Sequence, residues 1–248
     1  MSTEKPKKAI LKSRKTVKPL PSKTKSKKKP VQVALEESAQ NKKNVLMAFL
    51  KRVPAEGWTD DALTNATTDC GLDPEMAWAL FPGKAADALE TWSRFLDQQM
   101  TDKLKTLGLG DMKVRMRIFW GVKTRLSLLE PHKEAAGKAL RFLMHPKHAK
   151  LATKMTYETV NHIWVMAGDQ STDYNFYTKR FLLAGVYTAT FVYWLKDTSP
   201  EHFATTKFLE ERIENVLALG KIKQFPQALS MVDGIAGSWI KKIWPSSN

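Results

Sequence analysis

The segment "GWTDDALTNATTDCGLDPEMAWALFPG" (57–83) carries the start and stop signals of short helices. Thr59 can cap the first of them, and Asp60 and Asp61 follow in the first turn, where carboxylates complement the helix dipole. Gly71 suits the end of that helix, because glycine readily takes the left-handed conformation of a helix terminus. The segment therefore predicts a helix that ends in a tight turn.

A second start signal follows at once. Asp73 can cap a helix that has Pro74 at its first position. Upstream, "VLMAFLKRV" (45–53) predicts a further short helix that we expect to end at Pro54. Three short helices joined by tight turns predict a helix-turn-helix head over 42–86.

The chain beyond this head also has apolar residues at helical spacing, and strand-like alternation is absent from its sequence. The predicted helices cover 84–107, 112–129, 132–144, 150–167, 173–196 and 200–219. We expect an all-α protein with a helical ligand-binding body over 87–222 and an amphipathic helix over 223–248.

The formal net charge of +15 is concentrated at the N-terminus. Residues 1–30 hold eleven lysines and Arg14 against a single acid, Glu4, and so contribute +11. We expect residues 1–40 to be a disordered, lysine-rich tail, because they can bury little apolar surface. The tail fits a solubilising role and an attraction to anionic lipid or nucleic acid equally well.

The sequence lacks the patterns of common catalytic and metal sites. Its single cysteine, Cys70, excludes an internal disulfide. "HPKH" (145–148) contains two histidines, but its proline favours a surface turn over a metal site. We therefore expect neither catalysis nor a bound cofactor or metal.

A DNA-reading helix needs side chains that donate hydrogen bonds to base edges and phosphates. The helix in that position, "DPEMAWALF" (73–81), contains two acids and no cation, and only Lys84 follows it. DNA binding is therefore disfavoured, although a ligand-responsive transcriptional regulator remains the alternative hypothesis.

The stretch "AGDQSTDYNFYTKR" (167–180), which we term the corner, lies between two apolar helices. Its glycine and hydroxyl residues are explained by helix capping. Capping does not explain Phe176 and Tyr177, which we expect to be exposed beside Asp173 and Arg180. Aromatic side chains among charges are typical of protein-recognition surfaces, so these four residues are candidate partner contacts.

Beyond the corner, the helix over 173–196 is apolar on most of its circumference. Small residues such as Gly185 lie among Tyr187 and Phe191. This pattern allows either close helix packing or a hydrophobic ligand cavity.

The C-terminal segment places its large apolar residues on one helical stripe and its lysines at the rim. Such a helix either docks on the body or binds a membrane surface, and the second reading is favoured. The candidate membrane contacts are Leu229, Val232, Ile235, Trp239, Ile240, Lys241, Lys242, Ile243 and Trp244. The longest apolar run, 181–195, is too short to span a bilayer.

Three stretches together resemble one family: "GDQSTDYNFYTKR", "GWTDDAL" and "TRLSLLEPHKEAAGKALRFLMHP". They resemble the ubiquinone (coenzyme Q) biosynthesis accessory proteins with a TetR-regulator-like fold. The resemblance implies a non-catalytic lipid-binding protein that presents quinone intermediates to a di-iron hydroxylase, demethoxyubiquinone hydroxylase.

By position, the resemblance assigns Asp173, Phe176 and Tyr177, with Arg180 beside them, to the hydroxylase contact. It further implies membrane lipid as a partner and a homodimer. The expected location is the cytoplasmic side of a bacterial inner membrane or, alternatively, the matrix side of the mitochondrial inner membrane. The implied lipid-cavity residues are Trp164, Leu182, Leu183, Gly185, Val186, Tyr187 and Phe191.

Overall fold

The computed structural model describes residues 30–171 and 174–219, which fold as helices joined by short turns, with no strand among them. The all-α prediction is confirmed. The helices are α1 (Pro30–Glu56), α2 (Asp60–Asp69), α3 (Met76–Leu80), α4 (Lys84–Thr106), α5 (Val114–Leu129), α6 (Lys133–Leu143), α7 (Ala149–Met166), α8 (Tyr174–Lys196) and α9 (Phe203–Leu219).

The signals around α2 act as the sequence predicts, whereas α3 begins at Met76, two residues after the predicted first position at Pro74. The Thr59 hydroxyl accepts a hydrogen bond from the Ala62 N–H and caps α2. Gly71 has a φ of +73° in the turn after α2. Asp73 accepts a bond from the Glu75 N–H at 2.9 Å, so it caps a turn that precedes the very short α3.

Two boundaries in the first helix differ from the prediction. Helix α1 begins at Pro30, so residues 30–40 are helical and do not belong to the predicted disordered tail. Pro54 does not end α1, which continues to Glu56. Pro54 has no N–H to donate to the preceding turn, but two more residues remain helical. The chain leaves the helix only at Gly57, whose φ is +79°.

The head is tied to the body by an aromatic cluster. Trp58 stacks on Trp92 of α4, with ring centroids 5.5 Å apart, and meets Phe49 edge-on at 5.2 Å. The indole N–H of Trp58 also donates to the backbone carbonyl of Ala135 at the start of α6. Both the buried area and the hydrogen bond fix α1 and α2 against the body.

The body is built around α4, which packs against α5 and α7, while α7 packs against α8 and α8 against α9. Helices α5 and α7 approach closely at Gly121 of α5, where an added Cβ atom would lie 2.7 Å from Ile163 Cγ2 of α7. Glycine therefore permits the two helix backbones to approach.

Helix α9 begins at Phe203, three residues after the predicted start, because residues 200–202 form a 3-10 turn. The Asp197 carboxylate fixes this turn by accepting bonds from the Ser199 N–H and from the N–H and hydroxyl of Thr205. Burial opposes ionisation of Asp197, but these bonds outweigh it and hold its pKa well below the usual range.

Residues 1–29, 172–173 and 220–248 lie outside the described residues. The structure therefore does not test the predicted disorder of residues 1–29. It also does not test the proposed membrane helix (223–248) or any of its nine candidate contacts. Within the described helices, none combines the length and apolar character needed to cross a bilayer.

Candidate functional site

A cavity of about 200 Å³ opens between α4, α5, α6, α7 and α8. Its walls are mainly apolar, as expected for a site that binds a hydrophobic ligand. The apolar lining residues are Leu89, Trp92, Leu96, Leu129, Ala136, Ala139, Leu140, Leu143, Met144, Ala152, Met155 and Phe191.

The inner wall of the cavity carries a buried polar cluster. The Arg125 guanidinium, on α5, donates from Nε to Asp97 Oδ1 at 2.8 Å and from Nη2 to Ser93 Oγ at 3.1 Å. The hydroxyl of Thr159, on α7, donates to both carboxylate oxygens of Asp97, at 2.9 and 3.1 Å. Asp97 and Arg125 are 1% and 3% exposed, so the cluster joins three helices through an ion pair removed from water.

Tyr187 of α8 completes this wall. Burial raises the pKa of its phenol, and the nearby charges of Arg125 and Asp97 act on it in opposite directions. The hydroxyl therefore stays protonated at neutral pH and can donate a hydrogen bond into the cavity.

The lining residues that reach the surface are Met144, which is 73% exposed at the end of α6, and Thr188, which is exposed on α8. Ser93 and Arg125 lie at the buried end. A ligand that enters past Met144 would thus meet hydrogen-bond donors at the buried end.

Two of the seven predicted lipid contacts, Tyr187 and Phe191, line the cavity. Leu183 and Val186 are buried in the core and do not line it. Gly185 is a correction: it lies on the exposed side of α8, and nothing approaches within 4 Å of an added Cβ atom.

Trp164 and Leu182 are half-buried and also lie outside the lining. The Trp164 indole N–H instead donates to the Lys179 carbonyl at 3.0 Å, which ties α7 to α8. Most of the wall comes from α4, α6 and α7, and of these helices the prediction named only one residue, Trp164 of α7. The apolar stripes of those helices show which side faces inward, but not where helices separate to leave space.

The corner begins with a helix stop. Gly168 has a φ of +84°, its N–H donates to the Val165 carbonyl, and the Asp169 N–H donates to the Trp164 carbonyl. These two bonds form a Schellman motif, which satisfies the last carbonyls of α7. Arg117 of α5 donates to the Ala167 carbonyl and braces the same turn.

Asp169 is the centre of the corner. Its carboxylate accepts bonds from Lys179 Nζ at 2.8 Å, Arg180 Nη1 at 3.0 Å and the Ser171 hydroxyl at 2.8 Å. Burial opposes ionisation, but these three donors outweigh it and lower the pKa of Asp169 to about 2. The carboxylate thus fixes the start of α8 against the end of α7.

The corner exposes less than the sequence predicts. Arg180 is only 4% exposed and also donates to Asn161 and the Phe176 carbonyl, so it positions the corner and cannot be a surface contact. Phe176 is half-buried, with the Arg180 guanidinium 3.3 Å from its ring centroid. Tyr177, in contrast, is 65% exposed. Asp173 lies outside the described residues.

Two lysines of the described head lie near the helix in the DNA-reading position: Lys84, which follows it, and Lys42, whose Nζ is 4.8 Å from the Phe81 ring centroid. Lys84 forms an ion pair with Asp60 at 3.2 Å and lies 5.3 Å from the Trp78 ring centroid.

The described residues contain no group of three or more His, Cys, Asp or Glu side chains that could hold a metal ion. In the "HPKH" turn, His148 stacks on Phe142 with centroids 3.9 Å apart. His162 bonds the Glu158 carbonyl at 2.8 Å. Each of these two histidines thus contacts a neighbouring residue of the fold.

The arrangement of helices is similar to a solved TetR transcriptional regulator from Nitrosomonas europaea. The TM-score is 0.57 and the sequence identity 15%, with 70% of this chain and 95% of that chain covered. The likeness confirms the predicted TetR-like fold.

Sequence comparison identifies the family to which the chain is similar. Residues 149–220 match the sequence profile of COQ9. The chain is 33% identical over 217 residues to the ubiquinone biosynthesis protein COQ9, mitochondrial, of Homo sapiens, covering 82% of this chain and 66% of that protein. It is 30% identical over 212 residues to COQ9-B of Xenopus laevis, covering 82% of this chain and 72% of that protein.

The chain belongs to the COQ9 family. It spans about two thirds of the length of the curated relatives it matches. The region that matches the COQ9 profile runs from α7 to the end of α9, so it includes the corner and the α8 wall of the cavity. The resemblance inferred from the corner is confirmed.

Proposed function

We propose that the protein is a non-catalytic, lipid-binding accessory protein of ubiquinone biosynthesis. It takes hydrophobic quinone intermediates from the membrane and presents them to the di-iron hydroxylase of that pathway, without a cofactor of its own. Membership of the COQ9 family supports the pathway, since the relatives are named as ubiquinone biosynthesis proteins.

The apolar cavity is the observation that carries this proposal. A space of about 200 Å³ with apolar walls inside a TetR-like body suits a ring or a short length of lipid chain.

The corner supports the second half of the proposal. Exposed Tyr177 stands on a turn fixed by the ion pairs of buried Asp169, so its ring is presented on a rigid support. Preorganised aromatic side chains are favoured at binding surfaces because little entropy is lost on docking.

The membrane contact rests on the C-terminal segment, whose amphipathic pattern suits an interfacial helix. The relatives are named as mitochondrial, which favours the matrix side of the mitochondrial inner membrane over a bacterial membrane. The homodimer and the membrane contacts at 229–244 remain predictions.

Native mass spectrometry of the full chain, followed by lipid extraction, tests the cavity. The wild type should carry isoprenoid or other lipid. Ala152→Trp should abolish that signal, because the indole would occupy the cavity that Ala152 lines. Thr153→Trp is the matched control, since Thr153 is exposed on the same helix and lies outside the lining.

Loss of lipid in Ala152→Trp alone would support the cavity as the site. A wild type that carries no lipid and takes none from vesicles would contradict the proposal. The regulator alternative would then be tested by DNA binding of a chain that lacks residues 1–40.

A further inference from the structure

Arg125, which lines the cavity, carries one hydrogen-bond donor that has no partner among the described residues. Arg125 Nε is committed to Asp97 and Nη2 to Ser93. Nη1 is buried and has no hydrogen-bond partner among the described residues. Since Arg125 lines the cavity and is 3% exposed, water does not freely solvate this group.

An unpaired buried donor on a charged side chain is costly, and an acceptor atom on a ligand would remove that cost. Tyr187 adds a second potential donor to the same wall. The buried end of the cavity therefore favours an occupant that brings an oxygen acceptor, rather than a plain hydrocarbon chain.

The charge of the polar cluster limits which kind of oxygen acceptor the ligand can carry. The Arg125 charge is already balanced by the Asp97 carboxylate, 2.8 Å away and 1% exposed. A phosphate or carboxylate group would bring an additional, unbalanced negative charge into a buried site, which is strongly unfavourable. An uncharged carbonyl or ether oxygen can accept from Nη1 without this penalty.

The size of the cavity limits the rest of the ligand. An apolar cavity of about 150 Å³ accommodates a benzene ring, so about 200 Å³ suits one substituted six-membered ring. A long isoprenoid chain does not fit in that volume. Met144 marks the surface opening through which such a chain would leave.

We infer that the cavity binds the oxygen-bearing ring of an uncharged lipid, with a ring oxygen accepting a hydrogen bond from Arg125 Nη1 and the chain leaving past Met144. This inference rests on the proposed function, because it gives the orientation of the quinone that the protein carries. The ring is sheltered inside the body during transfer and must be released when the protein docks.

The test compares two ring probes on the full chain freed of bound lipid. Duroquinone and durene are both six-membered rings with four methyl groups, but only duroquinone carries carbonyl oxygens. Dissociation constants are measured by equilibrium dialysis for the wild type, Arg125→Met and Arg125→Lys. Lysine keeps the positive charge opposite Asp97 but loses the planar fork of donors.

Both substitutions should weaken duroquinone about tenfold, the usual effect of losing one hydrogen bond to a charged donor. Durene binding should change less than about twofold. Tetramethylbenzoate, an anionic ring of similar size, should bind the wild type more weakly than duroquinone.

Equal losses for duroquinone and durene would show that Arg125 only maintains the cavity and would overturn the inference. Unchanged duroquinone binding, tighter binding of tetramethylbenzoate, or a wild type that binds neither ring would overturn it as well. Each of these outcomes leaves lipid carriage and delivery to be judged separately, by lipid extraction and by hydroxylase turnover.

Discussion

At the scale of single residues, the corner combines two kinds of chemistry that the sequence alone does not separate. Buried Asp169 and Arg180 hold α7 to α8, whereas exposed Tyr177 is free to meet a partner. The four candidate contacts looked equivalent in the sequence because all lie within one polar stretch. Burial distinguishes the structural residue, Arg180, from the available one, Tyr177.

Asp169→Asn should lower the free energy of unfolding by about 2–4 kcal/mol at pH 7, because it leaves the buried Arg180 charge without its counter-ion. The pKa of Asp169 is lowered to about 2 in the folded state. Its ionised form therefore stabilises the fold above about pH 4, and this contribution of about 2 kcal/mol disappears as the pH falls from 4 to 2.

Urea unfolding of the wild type and Asp169→Asn between pH 2 and 7 measures this contribution as a difference. The comparison is needed because Asp197, whose pKa is also lowered, titrates at low pH in both proteins. Asp102→Asn is the control, since Asp102 is exposed and should contribute less than about 1 kcal/mol. A constant difference across this range would contradict the assigned ion pairs.

Tyr177→Ala should weaken hydroxylase binding at least tenfold, as expected for an aromatic residue central to an interface. The free energy of unfolding should change by less than about 0.5 kcal/mol, because the side chain is largely exposed. Binding is measured by calorimetry with the purified hydroxylase. Phe203→Ala is the control, because Phe203 is also exposed but follows the far end of α8, about 30 Å along that helix. Equal effects of the two substitutions would exclude a docking surface at the corner.

The buried polar cluster at the cavity wall could not be predicted from the sequence. Arg125 and Asp97 lie on different helices, 28 positions apart, and Thr159 is 62 positions from Asp97. Each is an ordinary polar residue in its own helical pattern. Only the packing of α4, α5 and α7 brings them together, so no local spacing identified them as a cavity wall.

At the scale of elements, most helices were predictable because capping and helix-ending residues mark their ends. Thr59, Gly71 and Gly168 all act at the positions their chemistry indicates. The first helix was predicted to start at Val45 but begins at Pro30. Residues 31–44 are rich in good helix formers yet have few large apolar residues, so apolar periodicity gave no signal there.

Two glycines within helices should respond oppositely to alanine. Gly121→Ala should lower the free energy of unfolding by about 1–3 kcal/mol, because its new methyl group would clash with Ile163. Gly185→Ala should raise it by about 0.5–1 kcal/mol, because the exposed side of α8 has space and alanine favours the helix.

Thermal and urea unfolding of both variants measures these changes. If Gly121→Ala left the free energy of unfolding unchanged, α5 and α7 would have to lie farther apart than they do in the structure. If Gly185→Ala weakened lipid binding, Gly185 would face the ligand as the sequence predicted, and the position of α8 would be wrong.

At the scale of the whole molecule, the prediction that this TetR-like fold does not bind DNA rests on the charges near its DNA-reading position. Helix α3 contains no cation, and nearby Lys84 is engaged by Asp60 and Trp78. The positive charge of the chain is concentrated in residues 1–30 instead. What distinguishes the body is its apolar cavity, whose position depends on five helices and so could not be located from any one of them.

The measurement that tests the central claim most directly is hydroxylase turnover on vesicles that contain the quinone intermediate, demethoxyubiquinone. The purified hydroxylase is assayed with the wild-type chain, Ala152→Trp, Tyr177→Ala and the control Thr153→Trp. The account predicts that the wild type and Thr153→Trp raise the rate of product formation. Ala152→Trp should fail because its cavity is filled, and Tyr177→Ala because docking is weakened. A hydroxylase that works equally fast with and without the wild-type chain would contradict the account.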